Sequence, residues 1–159
     1  MSARDEILAR VRQGVGKGDF AQRRAAALAV LDAKARGPQP AITGDLVERF
    51  RNKAESLAST VDRVAERNAA PAAVRRYLEA HGLAPQIVTT ADVGDLDWSG
   101  SAIAHAVRGA VDADRVGVSG CFCAVAETGT LMLLSGPRSP ATVSVLRETH
   151  VALVDTSGM

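Results

Sequence analysis

Glu127 is the carboxylate of this chain whose surroundings suggest chemistry. It lies within residues 116–134, VGVSGCFCAVAETGTLMLL, between two apolar segments and directly before Thr128, Gly129 and Thr130. An unpaired buried carboxylate is costly or becomes neutral, so a glutamate entering such a run must sit at its end or have partners. Glycine beside it lets the backbone turn with positive φ or approach a ligand closely. Glu127, Thr128, Gly129 and Thr130 are therefore candidates for a polar pocket at a strand end. The same residues also suit a plain hairpin turn with a solvated glutamate, and the turn rules alone leave both readings open.

A second set follows at residues 135–140, Ser-Gly-Pro-Arg-Ser-Pro. In an open α/β sheet, ligands bind outside the carboxyl ends of strands, where loops and helix starts converge. Ser135, Gly136 and Arg138 are candidates there for a small anionic ligand, held by backbone amides and the arginine charge. The competing reading is a crossover connection carrying a surface arginine. His150 precedes the apolar run 151–154, where a ring nitrogen can reach a pocket or a backbone carbonyl. His81 and His105 fall in helix-end and loop contexts and are expected to be solvated. Trp98 is expected to anchor packing in a core poor in aromatic residues.

Cys121 and Cys123 are too few for an iron–sulfur cluster or a disulfide framework, and as small apolar residues they are expected in the core. No metal site and no cofactor is expected in this chain. Gly14, Gly16 and Gly18 imitate a dinucleotide loop, but they follow a helical pattern rather than a strand, so a linker is the better reading.

The elements that must position these residues divide into a helical half and a mixed half. Ser2 caps a short amphipathic helix ending near Gly14, and the alanine-rich residues 20–34 form a second helix stopped by Gly37, Pro38 and Pro40. Thr43 is expected to cap a longer helix carrying Leu46, Val47, Phe50, Ala54, Leu57, Val61 and Val64 at three- and four-residue steps. Pro71 opens another, closed near Gly82.

Beyond Gly82, residues 86–89, 116–118, 122–126, 131–134 and 151–154 read as strands, with 103–107 a brief helix or loop. The run 131–134 lacks polar alternation and predicts a strand buried on both faces of a parallel sheet. Ser139 as cap and Pro140 at the first helical position predict a short helix over 141–146, giving a right-handed crossover to 151–154. The domain division expected is 1–70, helical, and 71–159, α/β.

Composition narrows the function classes. A chain of 159 residues can carry a full core, and 19 Lys and Arg against 18 Asp and Glu leave a net charge of +1. That balance gives no electrostatic footprint for nucleic acid or an anionic membrane. No apolar run approaches the ~20 residues of a membrane span, and the charged N-terminus is unlike a signal peptide. A cytoplasmic location is the expectation.

The run GVSGCFCAVAETGTLMLLSGP, followed by SPATVSVLRETHVALV, resembles the lactate-utilisation protein C family, whose LUD domain carries an Ala-Glu-Thr-Gly-Thr signature. The matching positions are Ala126, Glu127, Thr128, Gly129 and Thr130, then Ser135, Gly136 and Pro137, then Thr142, Leu146, Thr149 and His150. Arg147 stands where the family usually has proline. The resemblance implies a three-layer, mostly parallel α/β fold similar to the sugar-phosphate isomerase and CoA-transferase superfamily, preceded here by an N-terminal helical extension. It also implies action with iron–sulfur partner proteins in oxidising L-lactate to pyruvate, any cluster belonging to those partners. The family's domain continues with a further helix, an arginine- and acid-containing segment and a final strand, so the domain here is expected to be C-terminally incomplete, with an exposed apolar edge and self-association.

Two functional readings follow. In the first, the chain is a non-redox subunit of a lactate-oxidising assembly, binding a small anion or a partner surface. In the second, it is an independent enzyme with Glu127 as nucleophile or general base on a carboxylate, CoA ester or phosphosugar, as the superfamily analogy permits.

Overall fold

The computed structural model describes residues 2–15, 19–34, 37 and 43–156, so the breaks expected at Gly16, Gly18, Pro38 and Pro40 lie outside the described residues. Contacts divide the chain into two units, Met1–Ala41 and Ile42–Met159. The first holds helices α1 (Ala3–Val15) and α2 (Phe20–Ala33). Ser2 caps α1 through its Oγ, which accepts from the Asp5 amide at 3.3 Å, and Asp19 caps α2 by accepting from the Ala21 amide at 2.8 Å. Neither helix has a buried residue. Among the described residues, no helix is long and apolar enough to cross a membrane.

The second unit is α/β. Helices α3 (Leu46–Ser56) and α4 (Ala70–Ala80) precede strands β1 (Gln86–Thr89), β2 (Ala104–Val107) and β3 (Val116–Gly120). A hairpin of β4 (Cys123–Val125) and β5 (Thr130–Met132) follows, then the short helix α5 (Thr142–Val145) and strand β6 (Thr149–Leu153). The main sheet is parallel, in the order β2-β1-β3-β6. Contacts place α3 with the sheet, whereas the sequence division at residue 70 left it with the N-terminal helices.

Strand alternation sorts the sheet into two faces. Ile87, Val116 and Val118 join Val74 and Leu78 of α4, with Trp98, Val93 and Leu96, in one core, and Val151 and Leu153 pack against it. Trp98 is fully buried and donates its Nε1–H to the Val93 carbonyl at 3.0 Å, so it is the packing anchor expected of it. Gly117 faces the other way. A Cβ there would collide with the Val143 carbonyl oxygen, so the absent side chain lets the α5 backbone lie directly on β3. Helix, sheet and helix make three layers.

Several local expectations change. Residues 131–134 are not a strand buried on both faces. Thr130–Met132 pairs antiparallel with β4, Cys123 opposite Met132, and Met132 and Leu134 remain about half exposed. The segment's apolar character serves one packed face: Ala124, Ala126 and Leu131 lie against Phe50 and Ala54 of α3. Residues 104–107 form a strand rather than a helix or loop, because β1 offers them a full parallel register. The α3 cap is Asp45, whose Oδ1 accepts from the Val47 amide at 2.8 Å, not Thr43, and the helix ends before Val61 and Val64. Helix α5 begins at Thr142 after Ala141, so Ser139 and Pro140 belong to the preceding turn.

Candidate functional site

The chain runs from β1 to β2 on one side, then returns to place β3 on the other side of β1. That reversal is a topological switch point, where the flanking connections diverge and leave a crevice beyond the strand ends. The residues at the carboxyl ends of β1 and β3 are therefore the first place to look for a site.

Thr89 pairs with Val118, and the Thr90 amide donates to the Val118 carbonyl at 3.1 Å, carrying the register one residue further. Thr90 thus stands beside Ser119 on the α5 side of the sheet. His150, opposite Gly117 on β6, shares that side. Its Nε2 lies 2.9 Å from Ser119 Oγ. Thr90, Ser119 and His150 form a polar row across three adjacent strands, on a face that elsewhere carries small or apolar residues such as Val88, Ala106, Gly117 and Ala152.

Burial shapes the electrostatics of this row. Thr90 and Ser119 are 1% and 3% exposed, and the Thr90 hydroxyl oxygen has no hydrogen-bond partner among the described residues. A buried hydroxyl without a partner forfeits about 1–3 kcal/mol, which a ligand or water in contact with it would recover. His150 is half-buried, and desolvation pushes its pKa below the ordinary histidine value. The ring is neutral at pH 7, able to take a proton on one nitrogen while the other is bonded to serine.

The 135–140 loop closes over the β1 end. Gly136 and Ser139 exchange backbone hydrogen bonds at 3.0 Å in each direction, and the Ala91 amide donates to the Arg138 carbonyl at 2.9 Å. Ser135, Gly136 and Arg138 are thereby brought to the switch point, Arg138 with an exposed side chain. Asp92 lies over Gly120, where its carboxylate occupies the space a Cβ would need. Below the row, Thr142 Oγ1 accepts from the Ala110 amide at 3.0 Å, and the Arg147 guanidinium donates to the Val111 and Asp114 carbonyls. Arg147 thus holds the connection before β3.

Glu127 is placed differently. It follows β4 in the four-residue turn of the hairpin, half-buried, with no hydrogen bond or ion pair to the described residues. The Gly129 amide closes the turn on the Val125 carbonyl at 2.9 Å, and Thr128 Oγ1 donates to Thr130 Oγ1 at 2.8 Å. Gly129 has φ 70° and lies so near α3 that a Cβ would be 2.9 Å from the Ala54 amide nitrogen. The positive φ is the turn expected of glycine here, whereas the close approach is to helix backbone and not to a ligand. No hydrogen bond or ion pair joins the Glu127–Thr130 set to Arg138 or His150, so the candidates fall into two groups.

Sequence reasoning passed over Thr90, Ser119 and Asp92. The available signal was positional: Thr-Thr-Ala-Asp directly after an apolar strand, and Ser-Gly at the end of Val-Gly-Val. His81 stacks on Tyr77 with centroids 4.1 Å apart, and His105 is half-buried near Trp98, so neither joins the row. Two cavities lie apart from it: a shallow groove along α3 lined by Asp45, Glu48 and Asn52 among others, and a pocket of about 80 Å³ beside β1 and β2 lined by Gln86, His105 and Arg108 among others.

Comparison with known proteins adds the family. The family model described as LUD domain matches residues 47–159. An uncharacterized protein, NMB1437, of Neisseria meningitidis serogroup B is 51% identical over 43 residues, covering 27% of this chain and 18% of that protein. The chain thus spans less than a fifth of the curated relative it matches. No solved structure matches it. The matched segment takes in the sheet, the hairpin and the polar row, and the chain belongs to the LUD-domain family, a family related to lactate utilisation.

Proposed function

We propose that the chain serves as a subunit of an L-lactate utilisation system which, with iron–sulfur partner proteins, oxidises L-lactate to pyruvate. The observation that carries this reading is the LUD-domain match over 47–159. Electron transfer falls to clusters in the partners, and this chain supplies binding and positioning. The switch-point row suits such a role: Arg138 offers charge for a carboxylate, and the Thr90 hydroxyl and the Ser119–His150 pair offer hydrogen bonds for a neighbouring hydroxyl or carbonyl oxygen. The subunit is read as cytoplasmic.

Deletion of the gene tests the proposal. Growth on L-lactate as sole carbon source should be lost, and should return when the gene is supplied together with those of the iron–sulfur partners. Unchanged growth in a strain with no duplicate gene overturns it. The second reading, an independent enzyme using Glu127, rests on the half-buried carboxylate between Ala126 and Thr128, which has no partner among the described residues to neutralise it. Turnover of a carboxylate, CoA ester or phosphosugar by the isolated protein, lost in Glu127→Gln, would favour it.

A further inference from the structure

The β4–β5 hairpin uses one face for packing and leaves the sulfurs of Cys123 and Met132 on the other, with Cys121 beside them in the chain. Ala124 and Leu131 point to α3, whereas Cys123 and Met132, directly opposite each other, belong to neither apolar cluster. Cys123 Sγ lies 3.8 Å from Met132 Sδ. Cys121, just before β4, joins the same rung: its thiol donates to the Cys123 carbonyl at 2.9 Å and lies 3.5 Å from the Met132 carbonyl. Both cysteines are free and half-buried, and Met132 is 47% exposed. The expectation that they are core residues does not hold, and packing gives no reason for sulfur here.

We propose that Cys121, Cys123 and Met132 form a binding site for a soft monovalent metal ion of the Cu(I) class. Two thiolates and a thioether are the donor set that selects such an ion. The Cys123–Met132 separation is close to the ~4.0 Å expected for two sulfurs in a trigonal site with metal–sulfur bonds of about 2.3 Å. Rotation of the Cys121 side chain from the two carbonyls supplies the third ligand. Binding involves no change of oxidation state. Each thiol gives up its proton to solvent as a metal–sulfur bond forms, and the thioether donates a lone pair. Zinc is disfavoured: it takes four nitrogen, oxygen or thiolate ligands, and among the described residues no group of three or more His, Cys, Asp and Glu is gathered to hold one.

Competition against bicinchoninate under anaerobic conditions, with Cu(I) as probe and the full chain as sample, decides the matter. One Cu(I) per chain should be retained by the unsubstituted protein and lost in Cys121→Ser and in Cys123→Ser. Met132→Leu keeps the shape of the rung and should bind measurably more weakly, so the test survives if either serine variant folds poorly by circular dichroism. Failure of the unsubstituted chain to retain Cu(I), equal retention by Met132→Leu, or equally tight retention of Zn(II) against a zinc chelator would each overturn the assignment.

Discussion

Replacing Gly117 by alanine probes the packing that sets the polar row in place. The new Cβ would collide with the Val143 carbonyl oxygen and stand 3.0 Å from Arg147 Cγ. Because the first obstruction is backbone, no side-chain rotation relieves it, and α5 must lift from β3. Lifting loosens the fully buried Val143, the Thr142–Ala110 hydrogen bond and the Arg147 contacts to Val111 and Asp114. Overpacking of this kind costs about 1–3 kcal/mol, and a backbone clash belongs at the upper end. Restricting the unfolded chain returns about 0.4–1 kcal/mol, which leaves a net loss of about 2 kcal/mol. For a domain of this size that lowers Tm by roughly 6–10 °C. Gly136→Ala is the control, since a Cβ there meets nothing within 4 Å. It should leave Tm unchanged or raise it slightly. Thermal unfolding of both variants beside the unsubstituted chain, followed by circular dichroism, reads the difference. A Gly117→Ala protein with an equal or higher Tm would refute the seating of α5 on β3.

Glu127→Gln should alter stability by no more than about 0.5 kcal/mol in urea unfolding, because the carboxylate has no hydrogen bond to the described residues to lose; a larger loss would show that it is held, and loss of lactate-dependent growth would favour the reading in which Glu127 reacts. The His150 ring, followed by NMR, should titrate below the ordinary 6.5. Since the unfolded state then binds more protons, stability should be full above about pH 6.5 and decline as pH falls toward the lower folded pKa, a slope absent in His150→Gln. Asp114 is held at about 2 by the Arg108 guanidinium and the Val111 amide. With Arg108 43% exposed, solvent screening reduces this to about 1 kcal/mol of stability, present above pH 3.8 and lost as pH falls through 2; Asp114→Asn should show that deficit in urea unfolding at pH 7 but not near pH 2. Phe122, Val125, Leu134, Val145 and Leu146 are exposed, so sedimentation velocity should show reversible self-association that weakens in Phe122→Ser with Leu134→Ser, and a concentration-independent monomer would contradict it.

By itself the sequence determined much of the element order and its class, because local signals carry those: Pro71 at a helix start, alanine-rich residues 20–34, and short apolar strands at 86–89 and 116–118. For Glu127–Thr130 it left a hairpin turn and a pocket at a strand end both open, and the structure places the turn at 126–129 with glycine at positive φ. Other matters needed the tertiary structure. Whether an apolar run such as 131–134 joins the main sheet or folds back on β4 depends on which partner offers hydrogen bonds and cover, and α3 provides the cover. Residues 104–107 have weak strand propensity, yet the open edge of β1 holds them extended. The polar row escaped notice for the same reason. Thr90, Ser119 and His150 are separated by 29 and 31 positions in the chain, and only the parallel register of β1, β3 and β6 sets them side by side. Local propensity acts over a few residues, whereas a site is made by strands whose pairing is decided by what remains to be buried.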